Sequence, residues 1–301
     1  MLTLSQFGFR ALWSPYFFLF IIGVIVLFFY VAIKKRHLFD GNERLSKKEG
    51  FLFTFTLLFI YVLKGSPIDL LGHLMFTFHM IQMALLYLLV PQLLIVSIPK
   101  WMWSKFITLP YIKPVFTFFT KPLIALLLFN GIFSMYHIPL VFDVVKTDML
   151  LHTIYTFVLL LLAINMWWPL LNKLRDGNQL SGIKKLGYLL AASVLLTPAC
   201  ALIIFNKNPM YSTYSNPDLW YQSLHLCVPA DLLATLQLAG PEMFNLMSVL
   251  YDQQLGGVIM KILQEVIYGG VLYRIFIEWY RKEQNEPDPI LNLDPELLKK
   301  S

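Results

Sequence analysis

Charge is scarce in this chain. Only 14% of its 301 residues are Asp, Glu, Lys or Arg, against about 25% in a soluble domain. Hydrophobic residues make up 57%. That leaves too little polar surface to cover a water-soluble core. Uncharged runs recur along the whole length, the mark of a polytopic membrane protein. Cysteine is scarce too. Cys200 lies in "LTPAC" and Cys227 in "SLHLCVP", with no C-x-x-C pair, which excludes a thiolate metal framework. One sits mid-span and the other in a loop, which argues against a disulfide between them. No Gly-rich phosphate loop, internal repeat or low-complexity tract occurs, and no nucleophile–base pair suggests an enzyme.

Seven apolar spans are expected, roughly Trp13–Ile33, Gly50–Leu63, Leu70–Val96, Leu123–Tyr136, Leu150–Trp168, Leu186–Phe205 and Leu255–Trp279. The second and fourth are short for a hydrocarbon core of about 30 Å and are expected to run past these bounds. The first ends in Lys34-Lys35-Arg36 and lacks a small-residue cleavage site, so it reads as a span and not as a cleaved signal. The stretches 34–50, 98–121 and 172–185 and the tail after Tyr280 hold 6, 4, 4 and 4 Lys/Arg. The opposite side holds Arg10, Lys64, Lys146 and Lys207, giving 18 against 4. The positive-inside rule then places the N-terminus outside and the C-terminus in the cytoplasm. The fold expected is all-α, a seven-transmembrane-helix bundle in one domain over 1–280, with a cytoplasmic tail 281–301. The net charge of +6 is thereby a topology signal that favours anionic lipid and implies no nucleic acid. Trp101–Lys121 mixes Trp, Phe, Lys and Pro and reads as an interfacial segment. The outer loop 206–254 carries Trp220 and several Tyr, and is expected to fold as a cap.

Five of the six histidines fall on the outer side in this topology. His73 and His79 lie in "HLMFTFHMIQM". On one continuous helix, His73 shares a face with Met80, and His79 with Met83, one turn apart. His137 follows in "MYHIP", His152 in "LLHTIYTF" and His225 in the outer loop; only His37 is cytoplasmic. Imidazole suits Cu, Zn, Fe and Ni, while thioether selects Cu(I), so a His/Met set argues for copper over zinc. Ionisable groups at membrane depth are functional suspects, and His79 is the deepest of these. The bland alternative is interhelical hydrogen bonding for each His and gap-filling for each Met. Asp252, in "DQQLGG", opens the last span at the interface, where it can hydrogen-bond a histidine ligand from behind. Gly256, Gly257, Gly269 and Gly270 allow close helix approach, and Lys261 can pair with Glu265 on one face.

"FHMIQMALLYLLVPQLLIVSIP", "MYHIPLVFD", "MWWPLL", "LTPACALIIF" and "DQQLGGVIMK" together resemble the CtaG family of cytochrome c oxidase assembly factors, in its Bacillus type. The resemblance runs from about Trp13 to Trp279. It implies a multi-pass protein of the bacterial plasma membrane that matures the caa-type oxidase. It also implies copper, as Cu(I) held in passing, and oxidase subunit I as partner, with the binuclear centre as destination. A homo-oligomer is left open. Carried over position by position, the family's motif histidines fall on His79, His137 and His152, and its "DQ" Asp on Asp252. Met83 stands where many relatives have a second His, and Thr156 where some carry one beyond His152. The expected metal set is therefore His73, His79, Met80, Met83, His137 and His152. Two other readings are weighed. A membrane haem-b subunit needs two facing His at one depth. A metal transporter usually shows repeats and broken helices at the midplane.

Overall fold

The computed structural model describes residues 4–39, 43–174, 178, 180, 182–236, 238–244 and 247–285. All regular elements among them are helical. Five helices are long and apolar enough to cross a membrane, and two bent pairs pass the same test together, giving five to seven spans. The helices are α1 (Leu4–Lys34), α2 (Lys47–Gly65), α3 (Pro67–Leu74), α4 (Phe76–Ser97), α5 (Lys100–Ile107), α6 (Ile112–Phe119) and α7 (Pro122–Tyr136). There follow α8 (Pro139–Thr147), α9 (Met149–Leu171), α10 (Ile183–Phe205), the short α11 (Ser212–Ser215), α12 (Pro217–Leu224) and α13 (Ala230–Leu233), and the long α14 (Val249–Asn285). The expected tail lies outside the described residues beyond Asn285.

α4 is the most enclosed of the candidate spans and α1 the least. α4 packs against α2, α3, α9 and α14, and α14 in turn against α10. Its sequence carries the load: Leu86, Tyr87, Leu88 and Val90 are all buried. Pro91 has no N–H to donate, and the chain widens into a π turn over Leu85–Leu89 just before it, a usual accommodation for a broken helical ladder. α1 instead exposes Leu19, Phe20, Val26 and Leu27, a face suited to lipid. It kinks at Ser14, whose φ is +33°. The carbonyl of Trp13, freed at the kink, accepts from the Tyr61 hydroxyl at 2.5 Å.

Four of the expected spans differ in their bounds. The second span does not simply lengthen; it bends by 43° into α3, where Ser66 caps the new helix through Ile68 N and Pro67 fixes its first turn. The third span begins at Phe76 and not near Leu70, because the chain is extended at Met75 (φ −133°, ψ 132°). The last span begins six residues early, at Val249. α7 adds only Pro122 to the range expected of a fourth span, and it passes the length and composition test only together with α6, which it meets at 77°; α5 and α6 are short helices in the stretch read as interfacial. Lys261 and Glu265 do pair, at 2.7 Å. They are tied to α10 through Thr197 and Ser193.

Candidate metal centre

The break at Met75 decides the geometry of the histidines. His73 ends up on α3 and His79 on α4, so the continuous stripe expected of His73, His79, Met80 and Met83 does not exist. Asp252 of α14 accounts for the break. Its carboxylate accepts from Phe76 N at 2.6 Å and Thr77 N at 3.2 Å, and its carbonyl accepts from Thr77 Oγ1 at 2.9 Å. A buried helix start needs partners for its free N–H groups and favours negative charge. Asp252 was expected at the interface, touching a histidine. It is fully buried, and both its oxygens hold the start of the helix that carries His79 and not a histidine.

The same contact sorts the side chains of α4. α14 approaches so closely at Gly256 that a Cβ there would stand 2.8 Å from Phe76, 3.1 Å from Met80 Cγ and 3.2 Å from Thr77 Cα. Met80 therefore lies against α14. His79, the preceding residue, turns toward α7 and α8, and sits among the rings of Phe76, Tyr136, Phe142 and Tyr214 at centroid distances of 5.2–6.4 Å. Met83 is buried in the main core.

His137 caps the end of α7. Its Nδ1 lies 2.7 Å from the carbonyl of Phe133. A carbonyl can only accept, so the ring proton belongs on Nδ1 and the lone pair on Nε2. That Nε2 is buried with no hydrogen-bond partner, as are His79 Nε2 and His152 Nδ1. Leaving a buried polar atom unpaired costs about 1–3 kcal/mol, so three such imidazole nitrogens at one end of a bundle call for an explanation. Tyr136 stands between two of them: its ring is 5.8 Å from His79 and 5.3 Å from His137, and its own hydroxyl is also unpaired. Among the described residues, no three His, Cys, Asp or Glu side chains stand close enough to hold a metal together.

His73 lies 6.0 Å from His152, ring to ring. Its Nδ1 is 3.1 Å from Nζ of Lys146, a fully buried lysine of α8 that also reaches Gly72 O at 3.5 Å and stands over the Tyr214 ring. No carboxylate pairs with Lys146 among the described residues. Burial first, then repulsion from Lys64, brings its amine down to about 7. His225 is exposed and does not join the group. Cys200 and Cys227 are both free thiols.

The segment between α10 and α14 covers this end. Asp143 accepts from Ser212 N, Thr213 N and Thr213 Oγ1, each at 3.0 Å, and so fixes the start of α11. Tyr211 donates to His137 O at 2.9 Å and Tyr214 to Gly72 O. Trp220, Leu224 and Leu233 form a second core with Phe7, Leu70 and Leu74. Sequence reasoning missed Lys146, Tyr136, Asp143 and Tyr214. Lys146 reads as solvated between Asp143 and Asp148. The available signal is its position four residues after the buried Phe142, on the same helix face.

The fold and this end of it define a class: a helical bundle with membrane-crossing helices, carrying buried unpaired imidazoles beneath a folded cap. The chain belongs to the cytochrome c oxidase caa3 assembly factor family, whose model matches residues 26–282. No curated protein and no solved structure matches it.

Proposed function

We propose that this protein resides in the bacterial plasma membrane, binds copper at the capped end of the bundle and helps insert it into the binuclear centre of oxidase subunit I. The observation that carries the reading is the set of three buried, unpartnered imidazole nitrogens on His79, His137 and His152. Copper is cargo here, and the protein carries out no reaction of its own. A soft monovalent ion needs fewer donors than a closed tetrahedral zinc site. A dispersed set suits a donor that must release what it holds. His79 Nε2 and His137 Nε2 are the primary donors, and His152 Nδ1 is a further one. His73 joins only if Lys146 leaves its Nδ1. Met83 remains within α4 as a possible sulfur donor, whereas Met80 is committed to the contact with Gly256.

Family membership supports the oxidase as partner. The orientation argued from basic residues puts the histidines on the outer side. The cap, held by Asp143 and the two tyrosines, shields the imidazoles from water. The test is copper content of the protein purified in mild detergent under reducing conditions. The unaltered chain retains copper. His79→Ala loses it while the protein stays folded in the membrane. Full copper occupancy in His79→Ala would show His79 to be a packing residue.

A further inference from the structure

A concave region lies at the opposite end of the bundle from the buried histidines, reached by the far end of the helix that carries His79. It is a groove of about 770 Å³ between α2, α4, α9, α10 and α14. Its floor is apolar, with Leu93, Ile267 and Val271 among the lining residues. Gly270 also lines it. A Cβ at Gly269 or Gly270 would meet nothing within 4 Å. The glycine pair was expected to admit a neighbouring helix, as Gly256 and Gly257 do. It instead leaves open space, and Gly270 opens it into the groove.

The mouth is basic. Lys48, Lys173, Lys185 and Arg274 come from four different helices or their flanks and converge on one opening. Lys173 pairs with Glu49 at 2.9 Å and Arg274 with Glu278 at 3.2 Å. Lys48 and Lys185 have no acidic partner among the described residues. All four belong to the end of the bundle that carries the basic loops. An apolar trough leading to unneutralised ammonium groups at a membrane surface matches a molecule with acyl chains below a phosphate.

We infer that this groove is a binding site for an anionic phospholipid, with its acyl chains beside Gly270 and its phosphate between Lys48 and Lys185. Lys173 and Arg274 border the phosphate while keeping their carboxylate partners. The inference stands on its own geometry and does not depend on copper binding at the other end.

The test is native mass spectrometry of the full chain in detergent, titrated separately with phosphatidylglycerol and phosphatidylcholine carrying the same acyl chains. Phosphatidylglycerol is expected to be retained and phosphatidylcholine lost. Each lysine near an anionic headgroup contributes about fivefold in affinity, so Lys48→Gln with Lys185→Gln should weaken retention at least that much. Gly270→Leu fills the groove and should abolish retention without unfolding the protein, because the added side chain enters open space. Gly269→Leu lines no part of the groove and should retain the lipid. Equal retention of the two lipids, or undiminished retention in Gly270→Leu, would overturn the proposal.

Discussion

Removing the Asp252 carboxylate tests the architecture beneath the histidines. In Asp252→Ala, the N–H groups of Phe76 and Thr77 lose their only side-chain acceptor at a site closed to water. Hydrogen bonds to charged groups contribute about 1.5–3 kcal/mol each, and loss of an N-cap alone costs about 1 kcal/mol. Part of this is offset, because burying a carboxylate is itself unfavourable. A net loss of roughly 3 kcal/mol remains. Asp252→Asn keeps one good acceptor oxygen and should recover about half of that. The assay is thermal unfolding in detergent, followed by intrinsic Trp fluorescence. The expected order is wild type above Asn above Ala. The start of α4 also positions His79, so Asp252→Ala should lower copper retention more than Asp252→Asn does. A melting temperature for Asp252→Ala equal to that of the unaltered protein would refute the capping argument.

Gly256→Leu should destabilise the bundle by about 1–3 kcal/mol, because even a Cβ there meets Phe76 and the backbone of Thr77; Gly269→Ala, in open space, should be neutral or gain up to about 1 kcal/mol in the same melts. For Lys146 the folded value of about 7 lies below the ordinary 10.5, so the unfolded chain binds more protons between those values. Stability should therefore rise as pH climbs from about 7 toward 10.5, and Lys146→Met should flatten that rise in melts run across the interval. A reporter active only in the cytoplasm should work when fused after Ser301 and stay silent when inserted near Ser215, the reverse pattern placing the histidines on the other side.

The helical class was legible because uncharged runs of span length leave few alternatives, and four basic residues at their ends, Lys48, Lys173, Lys185 and Arg274, line one mouth. Periodicity could not reveal the break at Met75. No Pro or Gly stands at Met75 itself, and "HLMFTFHM" continues the apolar pattern without interruption. The cause lies 176 residues away in sequence, at Asp252, which a local reading sees only as an interfacial charge. For the same reason His73 and His79 read as one stripe although they stand on different helices. Gly256 and Gly269 look alike as small-residue pairs, and only packing separates the close approach of one from the open space at the other. Lys146 was hidden by its acidic neighbours. Its burial comes from the cap folding over α8, an arrangement set by Asp143 holding α11.

The function proposed is delivery of copper by way of the capped histidines. Its most direct test is the metal and haem content of caa-type oxidase isolated from cells that lack this chain, and from cells carrying His79→Ala in its place. In both strains the subunits should be inserted with normal haem, the copper of the binuclear centre should be missing and cytochrome c oxidation should be lost. Full copper in oxidase from either strain would contradict it.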